Sequence, residues 1–229
     1  MTLTREELGV SPGAVVIDVG CAGGAGTAAL RRSGCQAIGV ELEQHLLDEL
    51  RSQPDTAGLP ALRGDGARLP IATGSVAGAT VIEVLEHIPE PLPVLTELRR
   101  ILPVGGRLCV AVPSAYTERA YARLHPRYTS NAGHLHRFER PRMTALLEEA
   151  GFRLERIDTR NLAPAIAWYV HALLRTDADP TGRALQHRWV DVVVHGTIRV
   201  LRRVPGAAAV VRRLDHRLGK SWYFHCAAT

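Results

Sequence analysis

The stretch of residues 15–30 constrains the fold more than any other part of the chain. It begins as an apolar run and continues rich in glycine: Val15, Val16, Ile17 and Val19 flank Asp18, and Gly20, Gly23, Gly24 and Gly26 follow. The β-branched run predicts a strand buried on both faces, as in a parallel sheet. The glycines predict a tight turn whose backbone N–H groups a ligand can approach closely. With a helix predicted over residues 27–32, this order is typical of a nucleotide-binding α/β domain.

Two cofactor classes use such a turn, and the position of the glycines separates them. Residues 24–29 fit the G-x-G-x-x-A dinucleotide pattern, but Gly24 lies five residues beyond Val19. A pyrophosphate-binding turn places its first glycine directly after the strand. The position instead fits Asp18-x-Gly20-x-Ala22-x-Gly24, which resembles the first motif, D/E-x-G-x-G-x-G, of class I S-adenosylmethionine-dependent methyltransferases. Ala22 stands where that motif has its second glycine, and its methyl group is expected to narrow the pocket.

Two further acids follow predicted strands in the order that this family shows. Glu41 comes directly after a strand predicted over residues 35–40, and Asp65 follows a short third strand. The resemblance implies that Glu41, with Leu42 beside it, binds the ribose hydroxyls of the cofactor. It also implies that Asp65 contacts the adenine amino group, with the backbone of Gly66 and Ala67 at the ring. The alternatives are a solvated charge for Glu41 and an ordinary turn at Asp65.

The segment of residues 83–91, Glu-Val-Leu-Glu-His-Ile-Pro-Glu-Pro, is the most specific local match. It resembles the V-L-E-H-x-x-D/E-P segment of one large methyltransferase subfamily, and residues 98–108 match the same subfamily's L-x-P-G-G-x-L. The resemblance therefore implies that Glu83 and Val84 belong to the cofactor site. It runs from about residue 13 to residue 158 and implies S-adenosyl-L-methionine as the cofactor.

The order of elements predicts the fold class. Further strands are predicted over residues 79–84, 108–112, 152–158 and 222–227, and helices lie between them. We predict a Rossmann-like α/β fold: a seven-stranded, mostly parallel sheet with helices on both faces, an antiparallel last strand and a helical insertion before it. The predicted domains are a cofactor-binding core over residues 1–160, an insertion over residues 161–220 that covers the acceptor, and the final strand over residues 221–229.

The predicted insertion carries the basic charge of the chain. It has ten basic and four acidic residues, a net charge of +6 against +5 for the whole chain. Apolar residues recur at helical spacing in three stripes, which predict three amphipathic helices. Their basic faces are either solvated or in contact with an anionic membrane surface or a phosphate-bearing acceptor. A spanning helix is not expected, because the uncharged run of residues 161–174 is too short and contains Pro164. Nucleic acid is not expected as a partner, because the arginines are not interleaved with aromatic residues.

Three histidines are candidates for a general base. An alcohol acceptor must lose a proton during methyl transfer. Histidine can take this proton, because its pKa is ordinarily about 6.5. The candidates are His87, His134 and His136; the alternative for His87 is a structural role together with Glu86. The His134-x-His136 pair lacks a clear third ligand, so we predict no metal site. Tyr116, Tyr121 and Tyr128 are predicted to lie in the same loop as these two histidines.

The cysteines and the N-terminal residues indicate the cellular compartment. Four cysteines lie far apart without a C-x-x-C pair, and residues 1–9 are polar and acidic, which differs from a signal peptide. We therefore expect reduced cysteines and a cytoplasmic protein, either free or peripheral at the inner membrane face. The sequence does not indicate an oligomeric state.

The function predicted from these features is O-methylation of a small molecule, a sugar or a lipid-linked intermediate. C- or N-methylation of a hydrophobic metabolite such as a quinone stays open. Two alternatives come from other classes. A nicotinamide-dependent oxidoreductase would leave Asp65 and the segment of residues 83–91 without a role. A catalytically silent cofactor-binding protein is supported by Ala22, which replaces the second glycine of the motif.

Overall fold

The computed structural model describes residues 2–124, 133–163, 165–167, 170, 188–201 and 203–229. They form two compact units. The first comprises residues 1–112, 140–157 and 223–229, and the second comprises residues 113–139 and 158–222. The second unit thus contains the predicted insertion together with residues 113–139, which we had assigned to the core.

One seven-stranded sheet organises the chain, in the order β3-β2-β1-β4-β5-β7-β6. Its strands are β1 (Val15–Val19), β2 (Gln36–Glu41), β3 (Ala61–Arg63), β4 (Gly78–Ile82), β5 (Arg107–Pro113), β6 (Phe152–Arg160) and β7 (Ser221–Ala228). Strands β1 to β5 pair in parallel. Strand β7 runs antiparallel to β5, because Ala228 bonds with Gly105 and Gly106 at one end while the Ser114 N–H donates to the Lys220 carbonyl at the other. The predicted fold class is confirmed.

Helices connect the strands as predicted from the apolar spacing. They are α1 (Arg5–Leu8), α2 (Ala25–Arg32), α3 (Gln44–Ser52), α4 (Pro91–Ile101), α5 (Ala115–Leu124), α6 (Arg140–Glu149), α7 (Arg188–Leu201) and α8 (Pro205–Leu218), with a 3-10 turn at Leu85–His87. Of the first predicted helix of the insertion, residues 162–163, 165–167 and 170 are described as helical. Among the described residues, no helix has the length and apolar character that crossing a bilayer requires.

Helix α5 differs from the prediction, which placed the tyrosines of this region in a loop. Tyr116 and Tyr121 both lie on this helix, whereas Tyr128 lies outside the described residues. Three alanines, two arginines and a leucine favour a helix here. The helix buries Tyr121 but leaves Tyr116 exposed.

The core of the first unit is made by the inner strands. Val16 of β1, Ala37 of β2, Cys109 of β5 and Tyr223 of β7 are buried in one cluster. All four cysteines of the chain are free and buried. Strand β1 is buried at every position after Val15, as its uninterrupted β-branched run predicts.

Gly39 lets the glycine-rich loop lie against β2. A Cβ atom at this position would stand 2.6 Å from the Cys21 Sγ atom, 3.0 Å from the Cys21 Cβ atom and 3.2 Å from the Thr27 Oγ1 atom. Cys21 belongs to the loop and Thr27 to α2. The absence of a side chain on Gly39 therefore sets the distance between β2 and the loop.

Substitution of Gly39 tests this close approach. We expect Gly39→Ala to lower the free energy of unfolding by about 1–3 kcal/mol, because the added methyl group overpacks a buried contact. Gly58→Ala is the matched control, since a Cβ atom at Gly58 meets nothing within 4 Å. Urea unfolding of both variants measures the difference; equal stability would show that the loop can move away at no cost.

Candidate active site

A cavity of about 430 Å³ lies in the first unit, at the carboxyl ends of β1 and β4. Ligands of parallel α/β sheets bind at such strand ends. Four of the predicted cofactor residues line it: Asp18, Gly20, Ala22 and Glu83. The cavity therefore brings together the end of β1, the glycine-rich loop and the residue that follows β4.

Asp18 is held in one orientation at this cavity. Its carboxylate accepts a hydrogen bond from the Thr27 hydroxyl at 2.7 Å on one oxygen and from the Thr80 hydroxyl at 2.7 Å on the other. The residue is buried. Burial raises the pKa of Asp18 above its ordinary value of 3.8, and the two hydroxyl hydrogen bonds oppose this rise. The charged form of Asp18 is therefore costly, and a cation at the cavity would stabilise it.

Glu41 fastens the glycine-rich loop to the end of β2. One carboxylate oxygen accepts the Ala22 N–H at 2.9 Å, and the other accepts the N–H groups of Leu42 at 2.8 Å and Glu43 at 3.1 Å. Glu41 is itself buried, whereas Leu42 is exposed. The carboxylate thus has a structural role that the sequence analysis did not anticipate.

Three of the loop residues, Gly20, Ala22 and Gly24, have left-handed backbones. Gly20 has φ +72°, and a Cβ atom there would overlap the Val84 side chain. Ala22 has φ +42°. A left-handed conformation costs an L-residue roughly 1–2 kcal/mol, which glycine avoids. The structure therefore explains why a glycine suits the position of Ala22 and shows that the alanine carries strain. Glu83, with φ +57°, is also left-handed.

Gly24 lies close against the Leu50 side chain. It has φ +81° and precedes α2, and a Cβ atom on it would stand 2.9 Å from the Leu50 side chain. Cys21 lies beside it in the loop and lines the cavity. Burial, and then the charges of Asp18 and Glu41, raise the pKa of the Cys21 thiol to about 12.

The Asp65 turn has the geometry of a hydrogen-bonded turn. The Asp65 carboxylate accepts the Ala67 N–H at 2.9 Å, and the Asp65 carbonyl accepts the Arg68 N–H at 2.9 Å. Asp65 is exposed. A Cβ atom on Gly66 would stand 2.9 Å from the Val19 side chain, so Gly66 lies close against β1. The proposed contact of this turn with adenine stays a prediction.

The predicted histidines belong to different units. His87 ends the 3-10 turn after β4 in the first unit and is exposed. His134 and His136 belong to the second unit. The His136 ring packs against the Phe138 ring at a centroid distance of 5.3 Å.

His134 is paired with a buried acid. Its Nδ1 atom lies 2.5 Å from a carboxylate oxygen of Glu118 on α5, and the two side chains are only 10% and 2% exposed. A carboxylate at Nδ1 favours the tautomer that carries its proton there, with the lone pair on Nε2. The pair therefore presents His134 in the form of a base.

The sequence analysis missed three partners of the predicted residues. Thr27 and Thr80 orient Asp18, and Glu118 orients His134. A threonine in a strand that is otherwise apolar was the available signal for Thr80, which the β1–β4 register places opposite Asp18. An acid sixteen residues before His134 gave no such signal, because α5 was not predicted.

The comparisons with known proteins bear on the class of the protein. Residues 17–110 match the family described as "Methyltransferase domain". The chain is 30% identical over 168 residues to a ubiquinone biosynthesis O-methyltransferase of Xanthomonas euvesicatoria, covering 66% of each protein. It is 30% identical over 129 residues to a demethylmenaquinone methyltransferase of Mycobacterium sp. (strain JLS), covering 56% of this chain and 54% of that protein. The match thus spans about half the length of the latter relative.

One solved structure with a similar fold is the complex between the Haloferax volcanii Trm112 methyltransferase activator and a methyltransferase. The match has a TM-score of 0.64 and 20% identity, and covers 97% of this chain and 86% of that one. At this identity it bears on the fold alone. Residues 17–110 therefore belong to that methyltransferase family, and the strand order and the glycine-rich loop agree with the predicted class I S-adenosylmethionine-dependent methyltransferase.

Replacement of Asp18 tests the buried charge. A carboxyl group with a raised native pKa binds its proton more tightly in the folded chain, so wild-type stability increases as the pH falls through that pKa. We expect Asp18→Asn to be at least as stable as wild type at pH 7, and this advantage to disappear as the pH falls towards 3.8. Affinity for S-adenosylmethionine is expected to fall, since the negative charge at the cavity is lost. Unfolding curves between pH 4 and pH 8, with calorimetric titration, measure both effects.

The charge-matched control for this variant is Asp48→Asn on the exposed side of α3. It removes one carboxylate from the same unit outside the cavity, and we expect unchanged affinity. A loss of stability in Asp18→Asn at pH 7 together with wild-type affinity would contradict the assignment.

Proposed function

We propose that the chain transfers the methyl group of S-adenosylmethionine to an oxygen atom of a small molecule, a sugar or a lipid-linked intermediate. The observation that carries this proposal is the 430 Å³ cavity at the ends of β1 and β4, where Asp18 is oriented by two threonine hydroxyls. A buried carboxylate facing a cavity suits a cationic ligand, and S-adenosylmethionine carries an ammonium and a sulfonium charge.

The other residues of the proposed cofactor site are Glu41, the Asp65 turn and the segment after β4. A carboxylate has about four acceptor positions, and backbone N–H groups occupy three at Glu41. The proposed bond from a ribose hydroxyl would use the fourth. Asp65, Gly66 and Ala67 are proposed at the adenine ring. Glu83, which lines the cavity, and Val84, which packs at Gly20, complete the proposed site.

His134 is the proposed general base. Bound S-adenosylmethionine supplies an electrophilic methyl group and leaves as S-adenosylhomocysteine, while the acceptor hydroxyl loses its proton. The Glu118 carboxylate holds the Nδ1 proton of His134 in place, so Nε2 can take the proton of the acceptor. Glu118 then stabilises the imidazolium cation that forms. This contact is the observation that supports His134 as the base, and His87 and His136 stay candidates.

One alternative to O-methylation has support from the comparisons with known proteins. The relatives named above include ubiquinone and demethylmenaquinone methyltransferases, which favours a quinone-like acceptor and would include C-methylation. The match to the methyltransferase family leaves no support for the nicotinamide-dependent oxidoreductase. A catalytically silent binding protein is distinguished by turnover alone.

A cytoplasmic protein with peripheral membrane contact through residues 161–220 is the proposed setting. Val192, Val193 and Val200 are exposed on α7, and Arg199 is exposed on the same helix. Exposed apolar and basic residues on one amphipathic helix are typical of helices that lie on an anionic surface. The absence of a metal site stays a prediction from the sequence.

The experiment that tests the proposed function uses methyl-labelled S-adenosylmethionine. The purified chain is incubated with the labelled cofactor and an extract of its own host, and label is counted after partition between organic and aqueous phases. Label in the organic phase identifies a hydrophobic or lipid-linked acceptor, and label in water identifies a sugar or other soluble metabolite. No transfer from any extract, with cofactor binding intact, would favour the silent binding protein.

The His134–Glu118 pair makes a separate prediction. We expect His134→Ala to lower kcat by about 10²-fold or more, since general bases contribute roughly 10²–10⁴-fold. Glu118→Gln can still accept the Nδ1 proton but no longer stabilises the imidazolium cation. It is therefore expected to lower kcat, but less than His134→Ala does.

His136→Ala is the matched control, because it removes a neighbouring imidazole that packs on Phe138. Calorimetric affinity for S-adenosylmethionine is expected to be unchanged in all three variants. Wild-type turnover in His134→Ala would return His134 to a structural role.

A further inference from the structure

A second cavity, of about 750 Å³, lies wholly within the second unit. Residues of helices α5, α7 and α8 line it, together with Leu162, Ala165 and Ile166. Apolar side chains make up most of its wall, among them Leu162, Ile166, Ile198, Leu201, Val211 and Leu214. Its size falls within the roughly 300–1,000 Å³ of sites for small molecules.

The few polar atoms of the wall offer little to a polar ligand. Thr117 lines the cavity, but its hydroxyl donates to the Gly219 carbonyl at 3.3 Å. The other hydroxyl-bearing residue of the wall is Tyr116, which is 78% exposed. A ligand that fills this cavity must therefore be aliphatic along most of its length.

The cavity opens to solvent through apolar residues. Leu201, Leu214 and Val210 line it and remain 37%, 39% and 58% exposed. Covering apolar surface gains about 25 cal/mol per Å², so an aliphatic ligand would stabilise this arrangement. Such large apolar openings on monomeric proteins mark binding sites more often than scattered exposed residues do.

Basic residues on the helices that line the cavity, and in the turn between them, indicate the charge of the ligand. Arg199 follows Ile198, Arg203 lies two residues after Leu201, and Arg213 precedes Leu214. All three arginines are exposed. Within the described part of the second unit, none of the three forms an ion pair. An anionic group at the end of an aliphatic chain would therefore find cations on the same two helices and in the turn between them.

We propose that this cavity binds the aliphatic chain of a single-chain anionic amphiphile, with its charged group among these arginines. Identifying that amphiphile with the methyl acceptor rests on the proposed function above. Binding of the chain does not rest on it, because the cavity belongs to the second unit alone.

The test uses the full chain and dodecyl phosphate below its critical micelle concentration, titrated calorimetrically without S-adenosylmethionine. Saturable 1:1 binding is expected. Decyl phosphate is expected to bind about tenfold more weakly, because each buried methylene contributes roughly a threefold to fourfold change in affinity. Dodecyltrimethylammonium has the same chain and the opposite charge, and weaker binding is expected. Absence of saturable binding, or no dependence on chain length, would overturn the proposal.

Two valines provide a matched pair of variants. Val210→Asp places a charge in the cavity wall, and Val192→Asp places the same charge on α7 at an exposed position that does not line the cavity. We expect the first to lose binding at least tenfold and the second to keep wild-type affinity. Thermal unfolding checks that both variants fold. If both variants lose affinity equally, the probe adsorbs to the helix surface and the cavity is not the site.

This outcome is separable from the outcome of the proposed function. Methyl transfer without dodecyl phosphate binding would overturn only the cavity site. Dodecyl phosphate binding in a chain that transfers no methyl group would overturn only the proposed activity.

Discussion

The hydrogen bonds of the Glu41 carboxylate are the constraint on which the candidate site depends. One oxygen holds the loop through Ala22, and the other holds the turn into α3 through Leu42 and Glu43. A buried carboxylate that accepts three N–H groups is strongly oriented, because each bond to a charged group is stronger than a neutral one. The loop is thereby fixed against the end of β2, and Asp18 and the strained Ala22 take their places around the cavity.

Much of the first unit could be predicted from the sequence because its elements are locally specified. The β-branched run of β1 and the glycines after it determine a strand and a turn without reference to distant residues. The acids at the strand ends then fall at one edge, since the carboxyl ends of parallel strands meet there. Helices α7 and α8 were predicted from apolar spacing in the same way.

The remaining features depend on register and on long-range packing. Thr80 meets Asp18 because β4 pairs with β1 in one register, and no local pattern determines that register. Helix α5 carries small alanines, two tyrosines and a single leucine, so its apolar residues gave a weak periodic signal. The contact between Glu118 and His134 depends on that helix, so it could not be predicted from the sequence either. The backbone conformation of Ala22 is a property of the loop as a whole.

The acidity of Cys21 has a consequence for the chemistry next to it. A thiolate is a stronger nucleophile than an alcohol, so a cysteine beside a methyl sulfonium could itself be alkylated. With a pKa of about 12, only roughly one Cys21 in 10⁵ is ionised at neutral pH. Burial, together with the negative charge of the acids that shape the loop, thus keeps Cys21 as an unreactive thiol. In the proposed complex the protein avoids becoming its own substrate.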